Sequence, residues 1–407
     1  MMIAIVGAGL LGRLLALRLT QEDHTVTLFD SDAREGKAAA LYAGAGMLSP
    51  FSELETAEPL LSTLGLESLP LWEALLPTLV STHLVTETLP VFFQKAGTLV
   101  VAHARDLPDL QKFQNRVKCH LPSLLPDTTS LQWSLSSSEL AAIEPDLAGR
   151  FSQGYFLFPE GQVDNRELAT ALCIALLDAG ITWHAHTHVD TVQAGWVDAL
   201  GPDGPMTSAF DWVIDCRGLG ARNQWPGLRG VRGEIIRVHA PAVTLNRPVR
   251  LMHPRIPLYI APRRNHNFVI GATSIERDDA GPVTVQSALE LLSAAYSVHP
   301  GFAEASIIEM QAQCRPTLSD HCPSIRWQPG LICVNGLYRH GFMITPALVQ
   351  RLCTLIHTVA LPDSPPARGT SPVPNTLQSL ALTEAPLSTP LSPRKHLTQK
   401  GFTYAAS

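Results

Sequence analysis

Between Ile3 and Asp30 the chain carries a pattern that few folds accommodate. An apolar run, Ile3 to Val6, breaks into Gly7-Ala8-Gly9-Leu10-Leu11-Gly12. Leucines then recur at helical spacing from Leu10 to Leu19, and a second apolar run, Val26 to Phe29, closes on Asp30. This reads as strand, glycine turn, helix and strand, with an acidic residue about 20 positions past the glycines. Gly7 permits the tight turn, Gly9 lets the backbone approach a pyrophosphate, and Gly12 lets helix and strand pack closely. The helix N-terminus offers N–H donors and a positive dipole end to phosphates, and Asp30 would accept from a ribose hydroxyl. Continuously apolar strands imply a parallel sheet covered on both faces, hence an α/β fold.

Elements of this kind recur. Helical periodicity returns at Leu60 to Leu79 and Asn165 to Ala179, and buried strands at Trp212 to Ile214 and Leu331 to Val334. After the last of these, Thr345-Pro346 predicts a helix start, with Thr as cap and Pro at the first position. Between them lies different material. Residues 88–150 have mixed polarity, a strand-like Thr98 to Ala102 and a Ser-rich connector at 134–138. Residues 229–275 alternate like an antiparallel sheet, and Val285 to Val298 reads as a helix. The expectation is a discontinuous Rossmann-like domain (1–87, 151–225, 308–361) interrupted by an α+β antiparallel-sheet domain (88–150, 226–307). The Pro-, Ser- and Thr-rich 362–407 has no period and is expected to be a disordered tail.

With 407 residues, 45% hydrophobic and 16% charged, there is material for two cores. A formal net charge of −6 argues against a nucleic-acid partner. No apolar run approaches the roughly 20 residues of a membrane span. No basic region precedes the first apolar run, so the expected location is the cytoplasm. Seven scattered cysteines without a CxxC pair suit reduced thiols. A possible homo-oligomer is left open.

Two further segments bear on the cofactor. Ala43-Gly44-Ala45-Gly46-Met47-Leu48 has the small residues that suit a backbone passing close to a flat ring or pyrophosphate, although a flexible loop would look the same. Asn335-Gly336-Leu337-Tyr338-Arg339-His340-Gly341, followed by Phe342, leads from a strand towards a helix N-terminus, whose positive end would stabilise a reduced flavin. An ordinary loop is the competing reading. His184, His186 and His188 would share a strand face; without a carboxylate or cysteine at ligand spacing they read as polar surface rather than metal ligands. No nucleophile elbow and no P-loop are present.

Taken together, Arg232-Gly233-Glu234, His253-Pro254-Arg255, Leu258 to Arg263, Gly271-Ala272-Thr273, Glu290-Leu291-Leu292, Cys314-Arg315-Pro316 and Asn335 to Gly341 resemble the D-amino-acid-oxidase-like flavoenzymes, and among them the ThiO-type glycine oxidases. The resemblance spans residues 1 to about 358. It implies a substrate domain laid over non-covalent FAD, and oxidation of glycine or sarcosine to the imine by hydride transfer from Cα to flavin N5, with O2 reduced to H2O2. The imine would feed the thiazole of thiamine. It assigns the substrate carboxylate to Arg315 and Tyr259, a supporting role beside the flavin to Arg339, and an adenine contact to the backbone of Val189. Asp215-Cys216-Arg217-Gly218 departs from the small-residue run common at that turn. Cys314 adjoins the carboxylate arginine instead of offering a flavin linkage. A guanidinium fork with a phenol would fix an α-amino acid, and no general base is evident or required. Two alternatives stay open: a D-amino-acid or secondary-amine dehydrogenase or oxidase of the same family, and a flavin-binding protein without turnover.

Overall fold

The computed structural model describes residues 1–83, 87–124, 133–253, 258–361 and 377–382. Two large sheets organise them. The first has seven strands in the order Thr182–His184, Thr25–Phe29, Met2–Val6, Trp212–Asp215, Leu331–Asn335, Ser324–Gln328 and Gln378–Ser379. Its first four pairings are parallel and its last two antiparallel. Helices Leu10–Gln21, Pro59–Leu75, Asn165–Asp178 and Gly341–Thr358 contribute to one core with these strands, in which Ile3, Ile5, Leu15, Leu172 and Leu348 are completely buried. At roughly 1.5–3 kcal/mol for each large apolar side chain, such positions dominate the stability of this half.

The second sheet has eight strands: Ser306–Thr317, Arg229–His239, Asn267–Gly271, Leu258–Pro262, Val249–Met252, Thr98–Ala102, Gln153–Leu157 and Ser134–Ser136. It is antiparallel except where Val249–Met252 runs parallel to Thr98–Ala102. The helix Val285–Val298 covers it through Leu291, Ala295 and Val298. A mixed α/β architecture with an α+β second domain therefore matches expectation.

Several expected boundaries move. Gln153–Leu157, placed with the nucleotide domain, pairs with Thr98–Ala102 in the second sheet. Ser306–Thr317, most of it assigned to the third nucleotide segment, is the long edge strand of that same sheet. Neither joins the sheet expected of it, because a strand's own residues carry no mark of the sheet it joins. The Ser-rich 134–138 is no plain connector: Ser136 caps the helix Ser137–Ile143, its hydroxyl taking the Glu139 N–H while the Glu139 carboxylate takes the Ser136 N–H.

The last helix starts at Gly341, not at Thr345-Pro346, so Pro346 lies inside it. The carbonyl that Pro346 cannot serve, Phe342 O, accepts instead from the Trp72 indole at 2.9 Å. Within 362–407, residues 377–382 are packed: Gln378–Ser379 extends the first sheet, Leu380 N–H donates to Ile325 O, and Leu382 is buried in the core. The remainder of that segment lies outside the described residues.

Candidate active site

The glycine turn folds as its residues require. Gly7 adopts φ +105°, and a Cβ there would stand 2.6 Å from Cys216 O. A Cβ on Gly12 would fall 1.9 Å from Gly7 O, so helix and turn touch backbone to backbone. A Cβ on Gly9 would meet nothing within 4 Å. Gly9 is also the N-cap, and no side chain caps the helix, so the first-turn N–H groups around Leu10 and Leu11 are left to a ligand. The cradle therefore fits a pyrophosphate.

Asp30 ends the second strand. One of its oxygens accepts the Ala8 N–H and the other the Asp32 N–H at 2.7 Å, leaving a lone pair on each for a ribose hydroxyl. Burial raises its pKa against these donors. Val189 lies beside this turn through Arg217, whose Nη1 donates to Val189 O at 2.5 Å while Nε pairs with Asp215 at 2.8 Å. That ion pair accounts for the unusual Asp-Cys-Arg run. Gly218, at φ +57°, takes the Asn335 side-chain amide on its carbonyl and packs below Pro316. His184, His186 and His188 do not share a strand: His184 stacks on Phe29, His186 is in a turn at φ +51°, and His188 forms an isolated bridge with Leu200.

A cleft opens between the eight-stranded sheet, the segment 40–53 and the start of the last helix. It encloses about 1110 Å³ of empty space, its open mouth included. Gly44, Ala45, Gly46 and Met47 form one wall, Tyr259, Thr273 and Arg315 another, and Arg339, His340 and Phe342 a third. The small residues are there because the chain passes close to its neighbours. A Cβ on Gly44 would lie 2.5 Å from the Phe342 ring, and Gly46 sits at φ +63° against Val163 O. Ala45 O accepts a hydrogen bond from the buried Arg263. Gly336, Leu337 and Tyr338 do not line the cleft; they form the turn beneath it, pinned by the Tyr338 N–H on Pro316 O at 3.0 Å. Gly341 then begins a second helix that no side chain caps. Its free N–H groups suit the negative charge of a reduced flavin.

The two arginines named from sequence differ in their surroundings. Arg339 Nε donates to Glu53 Oε2 at 2.7 Å and Nη2 to Thr56 Oγ1 at 2.7 Å. Burial would raise the Glu53 pKa, yet the Arg339 and Arg250 guanidiniums hold it below the usual carboxylate range. His340, fully enclosed, is pushed down to about 4 by burial and stays neutral, its Nδ1 3.3 Å from Glu53 without hydrogen-bond geometry. Among the described residues the Arg315 guanidinium makes one hydrogen bond, from Nη1 to Thr273 O at 3.1 Å. None of the described carboxylates pairs with it, and burial lowers its pKa. It is a half-buried cation facing the cleft. Tyr259, its phenol raised in pKa by burial, shares that space.

Glu53, Thr56 and Arg250 were not foreseen, since an acidic stretch such as Ser52 to Glu55 looks like a solvated turn in sequence. Glu160 is another: it accepts from Phe51 N–H at 2.9 Å, Ser52 N–H at 2.6 Å and Ser52 Oγ at 2.8 Å, and so shapes the cleft floor. Cys314 is buried, points to Asp279 O, and does not line the cleft. Nor does any other cysteine among the described residues.

The model of the FAD-dependent oxidoreductase family (DAO) matches residues 2–354. The chain belongs to this family. As a family member it shares 40% identity over 358 residues with a Rhizobium etli protein named as the thiamine biosynthesis oxidoreductase ThiO, covering 88% of this chain and 97% of that one. A glycine oxidase of Geobacillus kaustophilus is 27% identical over 359 residues, 84% of this chain and 89% of its own. The crystal structure of iminodiacetate oxidase from Chelativorans sp. BNC1 superposes with a TM-score of 0.71 at 25% identity, covering 91% of this chain and 98% of that one. The chain is thus an FAD-dependent oxidoreductase. No helix among the described residues is long and apolar enough to cross a membrane.

Proposed function

We propose that this flavoenzyme is an amino-acid oxidase of glycine type, converting glycine or sarcosine and O2 to the imino acid and H2O2. It would supply that imine to thiamine biosynthesis, the pathway named for the Rhizobium etli relative. The observation that carries the reading is Arg315: a half-buried guanidinium beside the Tyr259 phenol, with no carboxylate partner among the described residues. A substrate carboxylate would complete it, with charge-assisted bonds worth about 1.5–3 kcal/mol each. Two contacts to one carboxylate would fix the orientation of Cα within the cleft. Bound FAD would supply the acceptor for two electrons and the Cα hydrogen. Arg339 acts at a remove, holding Glu53 and the turn before the last helix.

Iminodiacetate, the substrate named for a relative, carries a second carboxylate. The other guanidiniums of the cleft, Arg250 and Arg339, are already paired with Glu55 and Glu53. A monocarboxylate therefore fits better. The test is oxygen uptake and peroxide formation by the FAD-loaded protein with glycine, sarcosine, D-alanine, D-proline and iminodiacetate. Glycine or sarcosine should give the highest kcat/KM with one peroxide per turnover. Turnover with an artificial acceptor but not with oxygen would mean a dehydrogenase. Absence of turnover with any acceptor would remove the enzymatic reading.

A further inference from the structure

Far from the cleft, the first and last helices end side by side. The helix Leu10–Gln21 closes on Glu22, the turn to the next strand carries His24, and the helix Gly341–Thr358 carries His357 in its final turn. Their side chains converge. His24 Nε2 lies 3.3 Å from His357 Nε2, and Glu22 Oε2 lies 3.5 Å from that same His357 nitrogen. All three atoms fall within 4.8 Å of one another, the one such His, Cys and carboxylate group among the described residues.

We propose that Glu22, His24 and His357 bind a divalent transition-metal ion, with Zn2+ as the best match, and so clamp the C-terminal end of the last helix to the first β-α-β unit.

Bond lengths of about 2.0–2.2 Å to His nitrogen or carboxylate oxygen, at tetrahedral angles, put neighbouring ligand atoms about 3.3–3.5 Å apart. The two short separations are of that size. A hydrogen bond between two neutral imidazoles would explain the His–His distance alone. It would leave Glu22 Oε2 unexplained, since that oxygen is buried and accepts no hydrogen bond. The carboxylate is also held in place: Arg18 takes its other oxygen, Oε1, at 2.6 Å, as an outer partner orients a metal ligand. Both helices present their carbonyl ends here, and that negative potential favours a cation. Two imidazoles and one carboxylate select a borderline metal over Ca2+ or Mg2+, which prefer all-oxygen sets. Three protein ligands leave one position to water. The site lies at the opposite end of the first helix from the glycine turn, so its role is structural and independent of substrate turnover.

The test uses tag-free, FAD-loaded full-length protein stripped of metal and titrated with Zn2+ by calorimetry. One equivalent should bind at micromolar or lower concentration and raise Tm. His24→Ala and His357→Ala should each weaken binding by more than the roughly 10–100-fold typical of losing an outer partner, and Glu22→Gln should weaken it measurably. Flavin content and the visible spectrum should stay unchanged in all three. His357 is 44% exposed in its side chain, so its replacement leaves the fold intact. Binding that requires millimolar Zn2+, or that persists undiminished in the His24→Ala/His357→Ala double variant, would overturn the proposal. So would Mg2+ binding as tightly as Zn2+.

Discussion

The Arg315 guanidinium lies flat against the backbone of Gly233: a Cβ at that glycine would stand 2.1 Å from Nη2 and 2.3 Å from Cζ. Val231, two residues before it, is the cross-strand partner of Arg315, so the side chain runs along the neighbouring strand and needs a position without a side chain. Gly233→Ala should therefore displace the guanidinium while leaving the distant nucleotide cradle untouched. Amino-acid oxidation should lose at least about tenfold in kcat/KM, expressed mainly in KM, with full FAD content. Steady-state kinetics alongside flavin absorbance would check this, and normal kinetics would mean that Arg315 is not held by this contact.

Gly9 and Gly12 should respond differently to substitution. Gly9 faces open space, so Gly9→Leu should fold, keep its circular dichroism, and fail to bind FAD. Gly12 faces the Gly7 carbonyl at 1.9 Å, so Gly12→Ala should lower stability as well as flavin content. Equal loss of fold in both variants would contradict the placement of the cofactor over Gly9.

Trp72 reaches across to complete the last helix. Trp72→Phe leaves Phe342 O, the carbonyl that Pro346 cannot serve, without its donor. The cost should be about 1–3 kcal/mol for the unsatisfied carbonyl, beyond any loss of packing. Thermal unfolding of Trp72→Phe against Pro346→Ala/Trp72→Phe checks the assignment, because alanine restores an N–H to that carbonyl and should recover part of the loss.

Two buried groups near the cleft give opposite pH dependences. Burial pushes Glu160 up to about 7, against the hydrogen bonds it accepts. Its folded pKa exceeds the ordinary 4.5, so its contribution is full below about 4.5 and is lost as pH rises through about 7. His340 is pushed down to about 4 from an ordinary 6.5, so its contribution is full above about 6.5 and is lost as pH falls through about 4. Glu160→Gln should accordingly gain on the wild type between pH 4.5 and pH 8, by on the order of 1–3 kcal/mol. Unfolding at constant FAD across that range measures the difference; a pH-independent gap would mean that Glu160 does not titrate there.

How far the chain could be read without coordinates depended on what each segment's neighbours demand. The first β-α-β unit was legible because glycine spacing, leucine period and Asp30 all express one local geometry. The Val285–Val298 helix was legible from its apolar stripe. Sheet membership was not, because the alternation of Gln153–Leu157 and the largely polar Ser306–Thr317 say nothing of which edge they join. The Ser136 to Glu139 cap is visible in the letters, but a serine-rich run reads equally as a connector. Thr345-Pro346 misled, since Trp72, remote in sequence, supplies what the proline lacks. Arg315, Tyr259 and Arg339 were named through the resemblance, and the structure brings all three to one cleft. That Arg339 already has a counterion while Arg315 has none could not be known until Glu53 was placed.

The measurement that bears most directly on the account is kcat/KM for glycine in Arg315→Ala and Arg315→Lys, beside a simple amine without a carboxylate. Loss of two charge-assisted bonds of about 1.5–3 kcal/mol each predicts at least a tenfold and up to about a thousandfold fall for glycine in the alanine variant. The account predicts partial recovery with lysine, which restores charge without the planar fork, normal FAD content, and little change for the amine. Near-normal oxidation of glycine by Arg315→Ala would contradict the assignment of the carboxylate site.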